Sequence, residues 1–265
     1  VDPIRRIAAG LLLSLIITTQ AQAGELVLAA ASDLSAAAKE IVADFQKRTG
    51  HAVKLSLGSS GNFHAQILNG APFDVFLSAD LRYIREIEKA GLAEPGSSFV
   101  YATGRIVLWT PRSSPIDVQA LGMKALIHPQ ARRIAIANPK HAPYGRAAVA
   151  AMESAGIYAA VKSRLVLGEN ISQTAQFAQS GAADIGVVAL SLALAEPMKS
   201  QGRYWEVPFE SYPRIEQGAV LLKQAARAGH SAAAREFLEA LRGPQGRAVL
   251  QRYGFYLPDA AGARR

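Results

Sequence analysis

Two kinds of hydrophobic spacing alternate along this chain. Leu26-Val27-Leu28-Ala29-Ala30 is a short unbroken apolar run, the pattern of a strand buried on both faces. Leu34, Ala37, Ala38, Ile41, Val42 and Phe45 then recur at helical spacing, and Gly50 closes the segment. Val53 to Leu57 predicts a second strand, followed by Gly58-Ser59-Ser60-Gly61 and a helix over Phe63 to Leu68. Asp74 to Leu77 predicts a third strand, and Leu81, Ile84 and Ile87 mark the buried face of the helix after it.

A second series opens at Arg105-Ile106-Val107-Leu108-Trp109. It continues with strands over Arg133 to Ala137, Arg164 to Leu167 and Asp184 to Val188, and helices over Tyr144 to Ala155 and Ile171 to Gln179. A strand over Ala219 to Leu222 leads into helices near Ala232 to Leu241 and Pro244 to Arg252. Tyr204-Trp205, near Pro208, reads as hinge or core packing. No fixed-period repeat or low-complexity linker interrupts the order. It predicts an α/β protein of two lobes, each a mostly parallel sheet flanked by helices, with a cleft between them.

The N-terminus follows a different rule. Arg5 and Arg6 precede the apolar run Ile7 to Ile17, and Ala21-Gln22-Ala23 follows. This is the layout of a secretory signal peptide cleaved after Ala23, and the run is too short to span a bilayer. The expected product is exported and free in the periplasm. The sequence has no cysteine, which excludes a lipid-anchored cysteine, a disulfide scaffold, a zinc-thiolate site and a Cys nucleophile.

Composition narrows the partners. Half of the 265 residues are hydrophobic, enough for one or two cored domains. The net charge of +8 points toward anions, acidic surfaces or nucleic acid. Most of the surplus lies in residues 101–150, with seven basic groups against one acidic. No basic run exceeds two residues and no aromatics interleave, so with export no nucleic-acid partner is expected.

Candidate chemistry sits where strands give way to helices. Ala29-Ala30-Ala31-Ser32-Asp33, Gly58-Ser59-Ser60-Gly61-Asn62 and Gly168-Glu169-Asn170-Ile171-Ser172 are rich in small and hydroxyl residues. Helix starts at the carboxyl ends of parallel strands offer unpaired N–H groups and partial positive charge, which together suit an anion. Taken singly, Ser32, Asp33 and Ser60 also read as ordinary helix caps.

Those segments resemble the molybdate-binding periplasmic proteins of ABC transporters. So do Gly70 to Asp80, Asn138-Pro139-Lys140-His141-Ala142-Pro143-Tyr144-Gly145, Gly243-Pro244-Gln245 and Arg252-Tyr253-Gly254-Phe255. The motifs keep the family order over residues 24–257. The resemblance implies a type II periplasmic-binding-protein fold joined by a two-strand hinge. Lobe 1 is expected over 24–103 and 217–258, lobe 2 over 104–216, and a C-terminal tail over 259–265. It implies a monomer that binds molybdate or tungstate without a cofactor and delivers it to a permease served by a separate ATPase. By motif position, Ser32 and Ser60 are the hydroxyl donors, and Tyr144 and Ile171 supply backbone N–H groups. Asp33 and Ser59 are further neighbours, with Asp33 expected to turn from the ligand toward its helix start. Ala189 stands where some members place a ligand-binding Tyr, so Tyr144 is expected to help close the site.

Other ligands and classes remain open. A site made only of donors suits a deprotonated dianion, and sulfate meets that condition as molybdate does. Monohydrogen phosphate also needs an acceptor. A ferric carrier would need clustered Tyr or carboxylate ligands. The histidines at 51, 64, 128, 141 and 230 lack metal-ligand spacing. Asp74 and Asp80 read as a strand-start residue and a helix cap. A secreted hydrolase using Ser60 is the reading from another class, although no G-x-S-x-G motif surrounds it.

Overall fold

The computed structural model describes residues 25–258. The signal segment expected over 1–23 and the tail expected over 259–265 lie outside the described residues. The first sheet opens with β1 (Leu26–Ala31), β2 (Val53–Gly58) and β3 (Val75–Ser78), connected through helices Ser35–Thr49 and Ser60–Leu68. β1 lies between the other two and pairs with both in parallel, Leu28 opposite Leu55 and Val75. Along β1, Leu26, Leu28 and Ala30 pack into a cluster with Phe45 and Phe237. Ala29 joins Phe63, Phe76 and Tyr83 on the opposite face. Helices cover both faces, which is why the sequence shows an unbroken apolar run rather than an alternation. Helix Ser35–Thr49 ends where Gly50 takes φ 75°, a left-handed conformation that glycine adopts without a Cβ clash.

After helix Leu81–Lys89 comes β4 (Phe99–Gly104), and the chain crosses at Arg105 into β5 (Ile106–Pro111) of the second sheet. There β6 (Ile134–Ala137), β7 (Leu165–Gly168) and β8 (Ile185–Ala189) repeat the parallel arrangement, with β6 between its partners. Helices Pro143–Ser154 and Ile171–Gln179 connect them. β9 (Gly202–Glu206) completes this sheet, and β10 (Ile215–Leu221) returns to the first. The strand orders are β2-β1-β3-β10-β4 and β7-β6-β8-β5-β9. β10 runs antiparallel to β3 and β4, and β5 runs antiparallel to β8 and β9. Each sheet therefore takes one reversed strand from a chain segment that has just left the other. The connections β4–β5 and β9–β10 are the two links between the lobes. Helices Ser231–Arg242 and Pro244–Arg252 close the first lobe.

The structure differs from the hydrophobic pattern at two strands. β4 and β9 carry no clear signal; Tyr204-Trp205 does pack against the core of the second lobe, but from an edge strand in which Trp205 pairs with Leu108. Edge strands have one neighbour and tolerate polar positions such as Arg203 and Glu206. A Cβ at residue 202 would stand 2.1 Å from the Trp109 indole, so Gly202 admits the ring, whose Nε1 donates to the Met198 carbonyl at 3.3 Å. β10 starts at Ile215, two residues before the expected segment boundary at 217.

Candidate functional site

Five strand ends face one another across the cleft between the sheets. β1 leads to Ser32, β2 to Ser59-Ser60 and β3 to Ala79; β6 leads to Ala142-Pro143-Tyr144 and β7 to Asn170-Ile171. Ser32, Asp33, Ser59, Ser60, Tyr144 and Ile171 all line one small cavity there. Its volume is about 10 Å³. That is about the room one water molecule needs, far below a drug-sized pocket. No Lys, Arg or His lines it.

The helix starts leave a specific set of donors. At Ser60–Leu68, Gly61 N–H donates to the His141 carbonyl, Asn62 N–H to Ser59 Oγ and Phe63 N–H to the Ser59 carbonyl. At Pro143–Ser154, Pro143 has no N–H, and Gly145 and Arg146 both donate to the Ala142 carbonyl. At Ile171–Gln179, Ser172 donates to Ser32 Oγ, Gln173 to Asn170 Oδ1 and Thr174 to the Asn170 carbonyl. In each first turn, capping uses every N–H but one. The N–H groups left without a partner among the described residues are those of Ser60, Tyr144 and Ile171. All three residues line the cavity.

The serines are held by different neighbours. Ser60 is fully buried, and its Oγ accepts the Ala79 N–H at 2.9 Å, which leaves its own proton free to turn. Ser32 Oγ donates across the cleft to Asn170 Oδ1 at 3.2 Å, and the Ser32 carbonyl accepts from Ser172 Oγ at 2.8 Å. Ser59 Oγ lies 3.0 Å from His141 Nδ1 and caps its helix. Ser60 has no histidine partner among the described residues, so the general base that a hydrolase needs is missing beside it.

Asp33 is the one acidic group in the lining. It is 1% exposed, and its Oδ2 accepts from Tyr144 Oη at 2.8 Å and from Gln217 Nε2 at 2.5 Å. Gln217 is oriented by Tyr101, whose hydroxyl donates to its Oε1 at 2.8 Å. Asp33 Oδ1 is buried with no partner. Burial pushes the carboxyl up to about 6, against the lowering pull of the bonds from Gln217 and Tyr144. Burial and the neighbouring Asp33 likewise hold the Tyr144 hydroxyl well above its ordinary range, so it donates. Asp33 thus turns toward Tyr144 and Gln217, while the backbone N–H groups of Asp33 and Leu34 at its own helix start add a smaller lowering pull.

A rim of contacts closes the cavity from outside. Asn62 Nδ2 donates to Glu169 Oε1 at 2.5 Å, and His141 Nε2 stands 3.6 Å from the same oxygen. Asn170, Gln217, His141 and Glu169 were not singled out by role from the sequence. Gln217 carried a usable signal, a neutral polar residue inside an apolar strand. The other contacts join residues far apart in the chain, from 28 positions for His141–Glu169 to 138 for Ser32–Asn170. Beside the cavity, sharing Ala79 and Pro143 with it, lies a space of about 300 Å³ flanked by Arg82, Arg85, Arg146 and Arg214. Arg146 pairs with Asp80 at 2.5 Å. Asp80 also caps helix Leu81–Lys89 through the Arg82 N–H, and Asp74 accepts the Val27 N–H and faces His230. Both are structural. Among the described residues, no group of three or more His, Asp or Glu could hold a metal ion.

Comparison with known proteins points the same way. The family described as bacterial extracellular solute-binding protein matches residues 26–256. The molybdate-binding protein ModA of Rhodobacter capsulatus is 40% identical over 248 residues, 94% of this chain and 94% of its own length. That of Azotobacter vinelandii is 40% identical over 237 residues, 89% of this chain and 92% of its own. The solved Azotobacter vinelandii periplasmic molybdate-binding protein matches at a TM-score of 0.81 and 37% identity, covering 89% of this chain and 100% of that one.

Proposed function

The chain belongs to the bacterial extracellular solute-binding proteins, and on that premise we propose that it is the periplasmic capture protein of an ABC importer for molybdate. The observation that carries this is the convergence of three unpaired N–H groups and two serines on one cavity without a cation. Molybdate is a deprotonated tetrahedral dianion that only accepts hydrogen bonds. Ser60 supplies a free hydroxyl donor and Tyr144 and Ile171 supply backbone donors, with Ser60 N–H beside them; Ser32 joins them as its hydroxyl turns from Asn170 Oδ1 to the ion. Asp33 and Ser59 complete the wall. Tungstate has the same shape and charge and fits the same donors.

The energetics are sufficient. Hydrogen bonds to a charged group contribute about 1.5–3 kcal/mol each. Five of them, less about 4 kcal/mol or more for association and ordering, leave up to about 11 kcal/mol, so micromolar binding needs bonds in the upper part of that range. The closed lobes then present the ion to a membrane permease driven by a separate ATPase. The protein acts as a carrier, not an enzyme. Among the described residues no helix is long and apolar enough to cross a membrane. We read the protein as an exported monomer without a nucleic-acid partner.

One observation favours a second ligand: the free Asp33 Oδ1 could accept the proton of monohydrogen phosphate. A thermal-unfolding panel separates the readings. A ligand at a hundred times its Kd stabilises by about 2.7 kcal/mol. Molybdate and tungstate should raise Tm by several degrees at concentrations where phosphate and sulfate do not. The reverse order would overturn the assignment.

A further inference from the structure

We propose that Asp33 sets the proton count of the ion site: a bare dianion binds together with one proton, which settles on Asp33 Oδ1, and a protonated anion brings its own. The inference rests on the oxyanion-binding reading and adds a specificity-determining residue to it.

The geometry makes the case. Asp33 lines the cavity, is 1% exposed and keeps one carboxyl oxygen without a partner. Its other oxygen is fully engaged by Tyr144 Oη and Gln217 Nε2, so the carboxyl cannot turn to bury the orphan elsewhere. The groups facing it can be named element by element. They are Tyr144 from helix Pro143–Ser154, Gln217 from β10 with Tyr101 of β4 behind it, the backbone N–H groups of Asp33 and Leu34, and Ser191, whose hydroxyl donates to the Asp33 carbonyl. Among the described residues no Lys, Arg or His pairs with it. A dianion in the cavity would therefore stand beside an uncompensated carboxylate in a dry site, an arrangement that strongly favours protonation of one partner.

Molybdate takes a proton poorly at neutral pH, whereas burial has already brought the Asp33 carboxyl up to about 6 before any ion arrives. The balance is simple. One proton leaves solvent, an O–H bond forms at Asp33 Oδ1, and the orphaned acceptor becomes a donor to the ion. With monohydrogen phosphate the ligand's own O–H donates to Oδ1, and no proton is taken up. Asparagine at this position keeps an acceptor for Tyr144 and Gln217 and places an N–H where Oδ1 was. Asp33→Asn should thus favour the bare dianion and exclude the protonated one.

The test compares wild-type protein with Asp33→Asn by titration calorimetry in two buffers of different ionisation heat. For wild type at pH 7.5 we expect uptake of about one proton per molybdate, and for Asp33→Asn none. Wild-type molybdate affinity should fall about tenfold for each pH unit above 6, while that of the variant stays flat. His141 at the rim is common to both proteins and cancels in the comparison. No proton uptake by wild type, or parallel pH profiles, would overturn the inference. If Asp33→Asn does not fold, the proton count is taken with His141→Gln instead, where uptake of about one proton per molybdate supports the inference and none overturns it. If equilibrium dialysis shows that neither protein holds molybdate, the functional reading itself fails.

Discussion

Replacing Gly61 by alanine measures how much of the ion's retention comes from lobe closure. Gly61 starts a helix of the first lobe, and its N–H donates to the His141 carbonyl of the second at 2.9 Å. A Cβ there would stand 2.6 Å from that carbonyl oxygen and 2.7 Å from Tyr83 Oη. The tyrosine hydroxyl can move; the backbone carbonyl moves only if the lobes part by much of an ångström. Parting breaks the Gly61–His141 bond and loosens Ser59–His141 at 3.0 Å and Asn62–Glu169 at 2.5 Å. Intramolecular hydrogen bonds contribute about 0.5–1.5 kcal/mol each, so closure loses about 1.5–4.5 kcal/mol over the three. Affinity for molybdate should drop by a factor of about ten to about two thousand. The open form carries no such penalty, and alanine favours a helix over glycine by about 1 kcal/mol. Urea unfolding without ion should therefore show Gly61→Ala at least as stable as wild type. An affinity within threefold of wild type, with stability intact, would refute the claim that these lobes close on the ion through this contact.

Three further outcomes follow from the same geometry. Ser60→Ala removes a donor to the ion and orphans the buried Ala79 N–H. Calorimetry should show affinity lower by about ten- to a hundredfold, and urea unfolding a stability loss of about 1–3 kcal/mol. Asp33 titrates at about 6 in the folded protein against 3.8 in a free chain, so the folded state holds the proton longer as pH rises. Wild-type stability should fall between pH 4 and 6 and then level, and the advantage of Asp33→Asn over wild type should grow through that window by about 3 kcal/mol. Equal pH profiles in denaturant titrations would contradict it. Arg85 and Arg214 flank the space beside the cavity with no carboxylate paired to either among the described residues. Replacing both by glutamine should slow molybdate association in stopped flow at low salt only, and leave dissociation unchanged.

The sequence made the interior of the fold legible and left its margins dark. β1 and β6 lie between two strands and under helices on both faces, so their apolar runs had no competing demand. β9 pairs only with β5, its Glu206 is exposed while Arg203 reaches the Arg112 and Ser114 carbonyls, and Gly202 is there for the Trp109 ring. Local periodicity carries none of that. The site divided in the same way. Small and hydroxyl residues at strand-to-helix junctions marked the right places, because helix starts must leave donors whatever the tertiary contacts. Which donor each start leaves depends on caps from across the cleft, such as Ser32 to the Ser172 N–H and His141 to the Gly61 N–H. The Asp33–Tyr144–Gln217 cluster joins residues from three distant segments. The charge pattern also changes meaning, since Arg105, Arg133 and Arg146 of the basic block 101–150 pair with Glu206, Asp184 and Asp80.

The central claim is that this donor-lined cavity binds a bare tetrahedral dianion. Titration calorimetry of the chain from Gly24 onward, at pH 6 and in turn with molybdate, tungstate, sulfate and phosphate, tests it directly. The account predicts tight one-to-one binding of molybdate and tungstate. No heat with either, alongside tight binding of phosphate or sulfate, would contradict it.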